Sequence, residues 1–329
     1  MKLSELRQDL VSGDWILIAP KRGVRPHAFE NKEKRERTHE KGCPFESPKI
    51  HSHSEPFLQF HDKNDWTLQI IENKFPAFTH RDICGSLLKT GPYFVTQGIG
   101  HHDLVITRDH HKDFPDLNRE AALDVFKAFQ DRYLMLLDDN CLAYVSIFHN
   151  WGPKAGASID HPHYQIIAIP VVPPDVEHSL QGSLKYFKKN KSCVHCAMIA
   201  WEKKEKKRVV FENKHAIAFA PFVSRNSFEV RVFPKKHLPF FENTEENDLE
   251  ATALALQKCL KLIKLALKDP DYNFFIHTAP AKDKKSFSHY HWHIEVLPKA
   301  NVSAGFELGT GIEINPIDPD AAAKILRNR

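Results

Sequence analysis

The sequence predicts an α+β fold made of two similar halves that arose by duplication. In each half a cysteine-containing stretch precedes a strand leading to a histidine, then a long helix, a second strand and a histidine-rich motif. The spacing also matches, because His161 follows His110 by 51 positions and His289 follows His237 by 52. Matched order, element type and spacing together indicate a repeated unit.

The first half, which we place at residues 1–178, contains one clear helix signal at 118–138. Asn118 is a suitable N-cap because its side chain can accept a hydrogen bond from a free backbone N–H of the first turn. Strands are predicted on either side of this helix, at 103–107 and 142–148. Apolar residues recur at helical spacing along the helix, namely Leu123, Phe126, Phe129, Tyr133 and Leu137.

The second half, at residues 179–329, repeats this order. A helix is predicted at 245–268, with Thr244 as its cap and Pro270 just beyond its end. Its apolar stripe predicts a buried face. The strands that flank this helix are predicted at 228–233 and 272–277.

Composition narrows the class of protein. The chain has 329 residues, enough for about two domains, and 46 basic against 42 acidic residues give a net charge of only +4. So balanced a charge does not favour nucleic acid as a partner. An apolar run of roughly 18 residues, as a membrane span requires, is absent from the sequence, and residues 1–9 lack the apolar core that is typical of a signal peptide. We therefore expect a cytoplasmic protein with no membrane partner, in which the six cysteines are thiols or metal ligands.

Two cysteines in the second half have the spacing of a zinc site. Cys193 and Cys196 are three positions apart, and two thiolates so placed can bind one ion. His237 and His289 are the expected third and fourth ligands, because they occupy matching places in the repeat. The alternative is a pair of ordinary buried cysteines.

The equivalent place in the first half carries Cys43 and, three positions later, Glu46. Carboxylates can bind zinc, so these two residues with His110 and His161 could form a mixed metal site. The alternative is that the metal site has been lost and that hydrogen bonds hold His161. The sequence leaves both readings open.

The motif His161-Pro-His163-Tyr-Gln165 opens an apolar strand. Alternate residues of a strand share one face, so His163 and Gln165 face the same way. A neutral imidazole can attack phosphorus and hold a nucleotidyl group covalently, which makes His163 the candidate nucleophile. The preceding segment, from Asn150 through Gly156 to Ser158, combines small residues with polar groups that can bind phosphate.

A similar motif in the second half carries His289, His291 and His293. The last two would mirror His163 and Gln165. They could form a second active centre, a second metal site with His277, or merely a polar strand face.

As a set, these motifs resemble those of the galactose-1-phosphate uridylyltransferases, two-module members of the histidine-triad superfamily. The resemblance covers almost the whole chain. It includes the opening segment with Arg22 and Arg25, the run Glu72-Asn73-Lys-Phe75-Pro-Ala, and the segment from Asn150 to Gln165. Segments at 211–222 and 304–311 are similar to parts of the second module.

The resemblance implies two histidine-triad-like modules, each an antiparallel sheet with packed helices. His163 would be the residue that is uridylylated, and Gln165 would hold the phosphoryl oxygens. Substrate would also contact the phosphate-binding and nucleoside-binding residues Arg22, Arg25, Asn73, Phe75, Asn150, Gly156 and Ser158. Zn²⁺ would be held by Cys43, His110 and His161 in the first module and by Cys193, Cys196, His237 and His289 in the second.

The implied function is UDP-glucose:hexose-1-phosphate uridylyl transfer by a ping-pong mechanism, with a nucleotide sugar and a sugar 1-phosphate as partners. The family also suggests a homodimer. Glu46 stands where the family has a cysteine, and Tyr164 where many members have glycine or serine. A similar relative uses ADP-glucose and phosphate, so a nucleotide-sugar phosphorylase is one alternative. A non-catalytic nucleotide-binding zinc protein is the other.

Overall fold

The computed structural model describes residues 3–24, 40, 42–46, 55–63 and 65–329. The strands of this part of the chain are β1 Glu5–Gln8, β2 Trp15–Ile18, β3 Leu58–His61, β4 Trp66–Glu72, β5 Leu88–Thr90, β6 Tyr93–Val95, β7 His101–Thr107, β8 Tyr144–Trp151, β9 His163–Ile169, β10 Val209–Glu212, β11 Ala216–Phe219, β12 Val230–Pro234, β13 Tyr272–His277, β14 His293–Pro298 and β15 Ile314–Asn315. The helices are α1 Arg119–Leu136, α2 Pro174–Asn190, α3 Val194–Glu205, α4 Glu246–Leu267, α5 Gly305–Thr310 and α6 Pro319–Arg327.

Ten strands form one antiparallel sheet, in the order β10-β11-β12-β14-β13-β8-β9-β7-β4-β3. The pairing of β13 with β8 joins the strands of the two halves at the centre. Counted outward from this pair, the first half has the order β8-β9-β7-β4-β3 and the second half the order β13-β14-β12-β11-β10. In each half, the first two of these strands follow the long helix in sequence, and the other three precede it. The α+β prediction is confirmed. The duplication stays a prediction, which this matched strand order supports.

The two long helices pack together on one face of the sheet. Phe126 of α1 and Leu256 of α4 belong to one hydrophobic core, together with Tyr164 and Ile166 of β9. Alternation along β9 then directs His163 to the opposite face. The core therefore fixes which side of the sheet carries the candidate nucleophile.

The predicted N-cap is correct for α1 and incorrect for α4. Asn118 caps α1 as predicted, since its side chain accepts a hydrogen bond from the Ala121 amide. Thr244 does not cap α4, because it ends a preceding 3-10 turn and its carbonyl accepts a hydrogen bond from Gln130. The helix instead begins after Glu245.

The N-terminal strands belong spatially with the second half. β1 pairs with β2, and β2 pairs in parallel with β15 near the other end of the chain. Ile16 and Ile18 pack against Val223 in a small separate core. The predicted boundary between residues 178 and 179 falls within α2, and the division into 1–178 and 179–329 stays a prediction.

One expectation about the cysteines is wrong. Cys84 and Cys141 form a disulfide, although they are 57 positions apart in the sequence. The fold brings their Cα atoms to 5.1 Å, a proximity that spacing alone does not reveal. The cysteine-based reason for expecting a cytoplasmic protein is therefore removed, while Cys43, Cys193, Cys196 and Cys259 are free thiols.

Among the described residues, the helices lack the combination of length and apolar character that crossing a membrane requires.

Candidate active site and metal clusters

Five of the predicted substrate-site residues line one pocket of about 370 Å³. This volume lies within the range of about 300–1,000 Å³ that is usual for small-molecule sites. The pocket lies at the start of β9, and Phe75, whose side chain is 82% exposed, lies at its open side. The five residues are His163, Gln165, Asn73, Phe75 and Ser158, and Phe45 and Lys74 join them in the lining.

The imidazole of His163 is held in one tautomer. Its Nδ1 lies 2.9 Å from the His161 carbonyl oxygen, which can only accept, so Nδ1 carries the proton. Nε2 is then the nitrogen with the free lone pair. Burial lowers the pKa of His163 to about 4, so the ring is neutral at pH 7. A neutral ring with a free Nε2 is the form that can act as a nucleophile.

Neighbouring rings fix the position of His163. Phe45 packs edge-on against it, with ring centroids 5.2 Å apart. On the neighbouring strand β8, His149 donates from Nδ1 to the His163 carbonyl oxygen at 2.8 Å. The backbone and the ring of His163 are therefore both held in place. Fewer side-chain conformations have to be given up when the ring reacts.

Gln165 is oriented by His102, a residue that the sequence analysis missed. The Ala77 amide donates to His102 Nδ1 at 3.0 Å, so the proton of the ring is on Nε2. Nε2 then donates to Gln165 Oε1 at 2.9 Å. Asn73 Nδ2 is also 3.0 Å from Nε2, but an amide nitrogen cannot accept this proton. The Gln165 oxygen is thus engaged, and its NH₂ group is left for another acceptor.

The sequence carried only a weak signal for His102. Two histidines, His101 and His102, open a strand, and alternation places them on opposite faces. Which of the two faces Gln165 depends on the register between β7 and β9, where Gln165 is paired with Leu104.

The predicted phosphate-binding segment is held by the second half of the chain. Asn273 of β13 donates to Asn150 Oδ1 at 2.8 Å and to the Ala155 carbonyl at 2.9 Å. Gly156 adopts φ 91°, a conformation that favours glycine. Ser158 lines the pocket, whereas Asn150 and Gly156 lie outside its described lining and stay predictions.

Neither of the two predicted arginines is among the described residues that line the pocket. Arg22 is exposed on the 3-10 turn Pro20–Val24 and is outside the described lining of the pocket. Arg25 lies outside the described residues. Their role as phosphate contacts stays a prediction.

The C-terminal cluster consists of Cys193, Cys196, His237 and His291. The ligand atoms of these four residues lie within 4.8 Å of one another. His289, the predicted fourth ligand, lies outside this group, and its Nε2 faces the Leu180 carbonyl oxygen at 3.3 Å. Two residues further on, the chain approaches the cysteines, and His291 takes the fourth position.

Both histidines of the C-terminal cluster are oriented for metal binding. His237 donates from Nε2 to the Ser288 carbonyl at 2.9 Å, and His291 does so to the Pro234 carbonyl at 3.0 Å. Their Nδ1 atoms therefore carry lone pairs, 3.3 and 3.5 Å from Cys196 Sγ. Such carbonyl contacts are the usual means by which proteins orient metal-binding histidines. Two thiols and two imidazoles fit a tetrahedral zinc site.

The N-terminal cluster consists of Cys43, His110 and His161. His161 donates from Nε2 to the Thr107 carbonyl at 2.7 Å, so its Nδ1 faces the cluster with a lone pair. That Nδ1 lies 3.6 Å from Cys43 Sγ and 3.1 Å from His110 Nδ1. Three donors converge, as a metal site requires.

Glu46 completes this convergence and is also part of an ion pair. Its Oε1 lies 3.1 Å from His110 Nδ1 and 3.2 Å from His161 Nδ1, while Oε2 accepts from Arg108 at 2.6 Å. Burial alone raises the pKa of Glu46, but the Arg108 hydrogen bond and His161 outweigh it, so its pKa is lowered. The carboxylate can serve as a fourth ligand or as a hydrogen-bond acceptor, so both sequence readings fit.

The second half carries a similar but chemically different motif. His293 donates from Nδ1 to the His291 carbonyl at 3.2 Å, just as His163 does to His161. The mirrored pair is therefore His293 with Glu295, rather than His291 with His293 as predicted. Glu295 is a buried carboxylate that pairs with Arg231 at 3.0 Å. A carboxylate would repel a phosphate where an amide would bind it, which argues against a second active centre.

Known proteins resemble the chain over most of its length. A family model described as a domain of unknown function, DUF4921, matches residues 46–328. An ADP-glucose phosphorylase of Arabidopsis thaliana is 34% identical, with 98% of this chain and 92% of the relative covered. A galactose-1-phosphate uridylyltransferase of Thermotoga maritima is 26% identical, with 99% and 98% covered.

Solved structures agree with these likenesses. A crystal structure of an ADP-glucose phosphorylase from Arabidopsis thaliana with bound ADP-glucose has a TM-score of 0.83 and 29% identity, and 99% of each chain is covered. A uridylyltransferase structure has a TM-score of 0.75 and 28% identity, with 98% of each chain covered. The chain therefore belongs to the DUF4921 family and, with these relatives, to the galactose-1-phosphate uridylyltransferase-like group of nucleotidyl-transfer enzymes.

Proposed function

We propose that this enzyme transfers a nucleotidyl group from a nucleotide sugar through a covalent bond to His163. Nε2 of His163 attacks the α-phosphorus, and the bond from that phosphorus to the bridging oxygen breaks. Sugar 1-phosphate leaves with that oxygen. In the second step an oxygen of the acceptor phosphate attacks the same phosphorus, and the bond to Nε2 breaks. The nitrogen returns to its neutral form.

The observation that carries this proposal is the fixed, neutral His163 beside an oriented Gln165. Hydrogen-bond donors preset towards developing charge lower the barrier because they need no reorganisation during the reaction. The NH₂ group of Gln165 and the Ser158 hydroxyl are such donors for the phosphoryl oxygens. Phe75 and Asn73, at the open side of the pocket, would hold the nucleoside.

For the substrate pair we favour ADP-glucose with inorganic phosphate as acceptor. The support is the greater likeness to the ADP-glucose phosphorylase, in identity and in TM-score, than to the uridylyltransferases. The sequence had suggested UDP-glucose with a hexose 1-phosphate, which remains the second candidate. Both use the same covalent step and differ only in base and acceptor.

The substrate prediction is tested by covalent labelling. We expect ADP-glucose labelled in the α-phosphate to label the protein, and inorganic phosphate to discharge the label as ADP. UDP-glucose with galactose 1-phosphate is the matched comparison. Faster labelling and discharge by that pair would favour uridylyl transfer instead. Labelling by neither nucleotide sugar would favour the non-catalytic alternative.

We propose that zinc occupies the C-terminal cluster and that its role is structural. The four donors Cys193, Cys196, His237 and His291 leave no position for a substrate. At the N-terminal cluster the same ion would fix His161, whose carbonyl orients His163. A homodimer, suggested by the family resemblance, stays a prediction.

His102 gives a test of how Gln165 acts. Replacing His102 with phenylalanine removes the donor to Gln165 Oε1 and lets the amide rotate. We expect kcat to fall about 10- to 100-fold, with a smaller change in KM, because the lost contact serves the transition state. The measurement is steady-state kinetics with the preferred substrate pair.

A conservative variant separates orientation from packing. His102→Gln keeps a side-chain donor and should recover part of the lost kcat. His102→Phe with unchanged kcat, or with a loss confined to thermal stability, would contradict the orienting role.

A further inference from the structure

A third histidine cluster lies apart from both thiol clusters. His80, His101 and Asp139 offer two imidazole nitrogens and a carboxylate oxygen, all within 4.8 Å of one another. His101 Nε2 lies 3.0 Å from Asp139 Oδ2, and the His80 ring stacks on the His101 ring with centroids 4.4 Å apart. Asp82 adds a second carboxylate, with Oδ1 3.7 Å from His80 Nε2.

These side chains come from three separate segments. His80 follows the bridge between Thr79 and Ile99, His101 is the first residue of β7, and Asp139 follows α1. Residues distant in sequence thus converge on one point. This arrangement is typical of a site built by the fold and not of a local turn.

A disulfide and a hydrogen bond keep these side chains close together. The disulfide between Cys84 and Cys141 joins the same two segments that carry His80 and Asp139. Asp139 Oδ1 accepts from the Cys141 amide at 2.8 Å, so the other oxygen, Oδ2, is the one that meets His101. The side chains of His101 and Asp139 are only 14% and 19% exposed, whereas that of His80 is 50% exposed. A partly open site with fixed donors can admit an ion from solvent.

We propose that His80, His101 and Asp139 form a binding site for a divalent transition metal ion such as Zn²⁺. Imidazole nitrogens select zinc and its neighbours over Mg²⁺ or Ca²⁺, which prefer oxygen ligands. Three protein donors with water or Asp82 in the fourth position satisfy tetrahedral zinc. The ion would join the segment at 79–84, the start of β7 and the connection from α1 to β8. The site shares no residue with the N-terminal or C-terminal cluster.

The test counts metal on the full-length protein after both thiol clusters are loaded with zinc. Co²⁺ is added, unbound ion is removed by gel filtration, and cobalt is measured by mass spectrometry and by visible absorption. We expect one cobalt ion per chain in the wild type, without the thiolate charge-transfer band. The His80→Gln/His101→Gln double variant should lack this ion, and His61→Gln, which alters an exposed histidine of β3, should retain it.

A milder variant guards against misfolding. Asp139→Asn keeps the oxygen that accepts from Cys141 but removes the charge, and it should weaken cobalt binding at least about tenfold. Equal cobalt content in the wild type and the double variant would overturn the proposal and leave a stacked histidine pair with a structural role only. So would a cobalt signal that carries thiolate absorption.

Discussion

Replacing His163 with glycine is expected to abolish nucleotidyl transfer, with a loss of about 10⁴-fold or more in kcat. Removing a nucleophile eliminates the covalent route, and what remains is binding and charge stabilisation alone. The side chain supplies Nε2, and among the described residues that line the pocket it is the only imidazole. The measurement is turnover with the preferred substrate pair, together with labelling of the protein by the nucleotide sugar.

The fold should survive this change. Glycine within a strand costs about 0.5–1 kcal/mol relative to alanine, which a protein of this size tolerates. His61→Gly, at the end of edge strand β3, is the matched control because it carries the same backbone cost at an exposed position. Normal turnover by the His163 variant would refute the proposed nucleophile, as would an equal loss in the His61 variant.

Replacing Cys193 with serine is expected to cause the largest loss of stability. The C-terminal cluster joins α3 to the segment before β14 and to His237, so an ion there holds three separate segments together. We expect the free energy of unfolding to fall by about 3 kcal/mol or more, and Tm by roughly 6–10 °C. Bound zinc should fall by one ion per chain, measured by elemental analysis and by thermal unfolding followed by circular dichroism.

Cys259 supplies the control for this experiment. It is fully buried in α4 and is outside both thiol clusters. Cys259→Ala should cost about 1 kcal/mol through lost packing and leave the zinc content unchanged. A Cys193 variant with wild-type zinc content and stability would mean that this cluster is a group of buried thiols and imidazoles with no structural ion.

The sequence by itself determined the order of elements and the two faces of β9. Periodicity of 3.6 or 2 is a local property, so the long helices and the opposed faces of Tyr164 and His163 could be predicted without a fold. The strand predicted at 272–277 matches β13, and the N-cap at Asn118 is present as predicted. The pocket is lined by residues from three sequence motifs, with Asn73 and Phe75 in the first, Ser158 in the second, and His163 and Gln165 in the third.

Only the tertiary structure decided which histidine meets the cysteines, which imidazole orients Gln165 and which thiols pair. Matching the two halves by spacing selected His289. In the fold, His291 takes the position, because it follows His237 by 54 positions, against 51 from His110 to His161, and α4 has 22 residues where α1 has 18. His102 reaches Gln165 through the register of β7 and β9, and Cys84 reaches Cys141 across 57 positions. The physical reason is common to all three. Contacts between distant segments depend on the path of the chain between them, and local patterns do not contain that path.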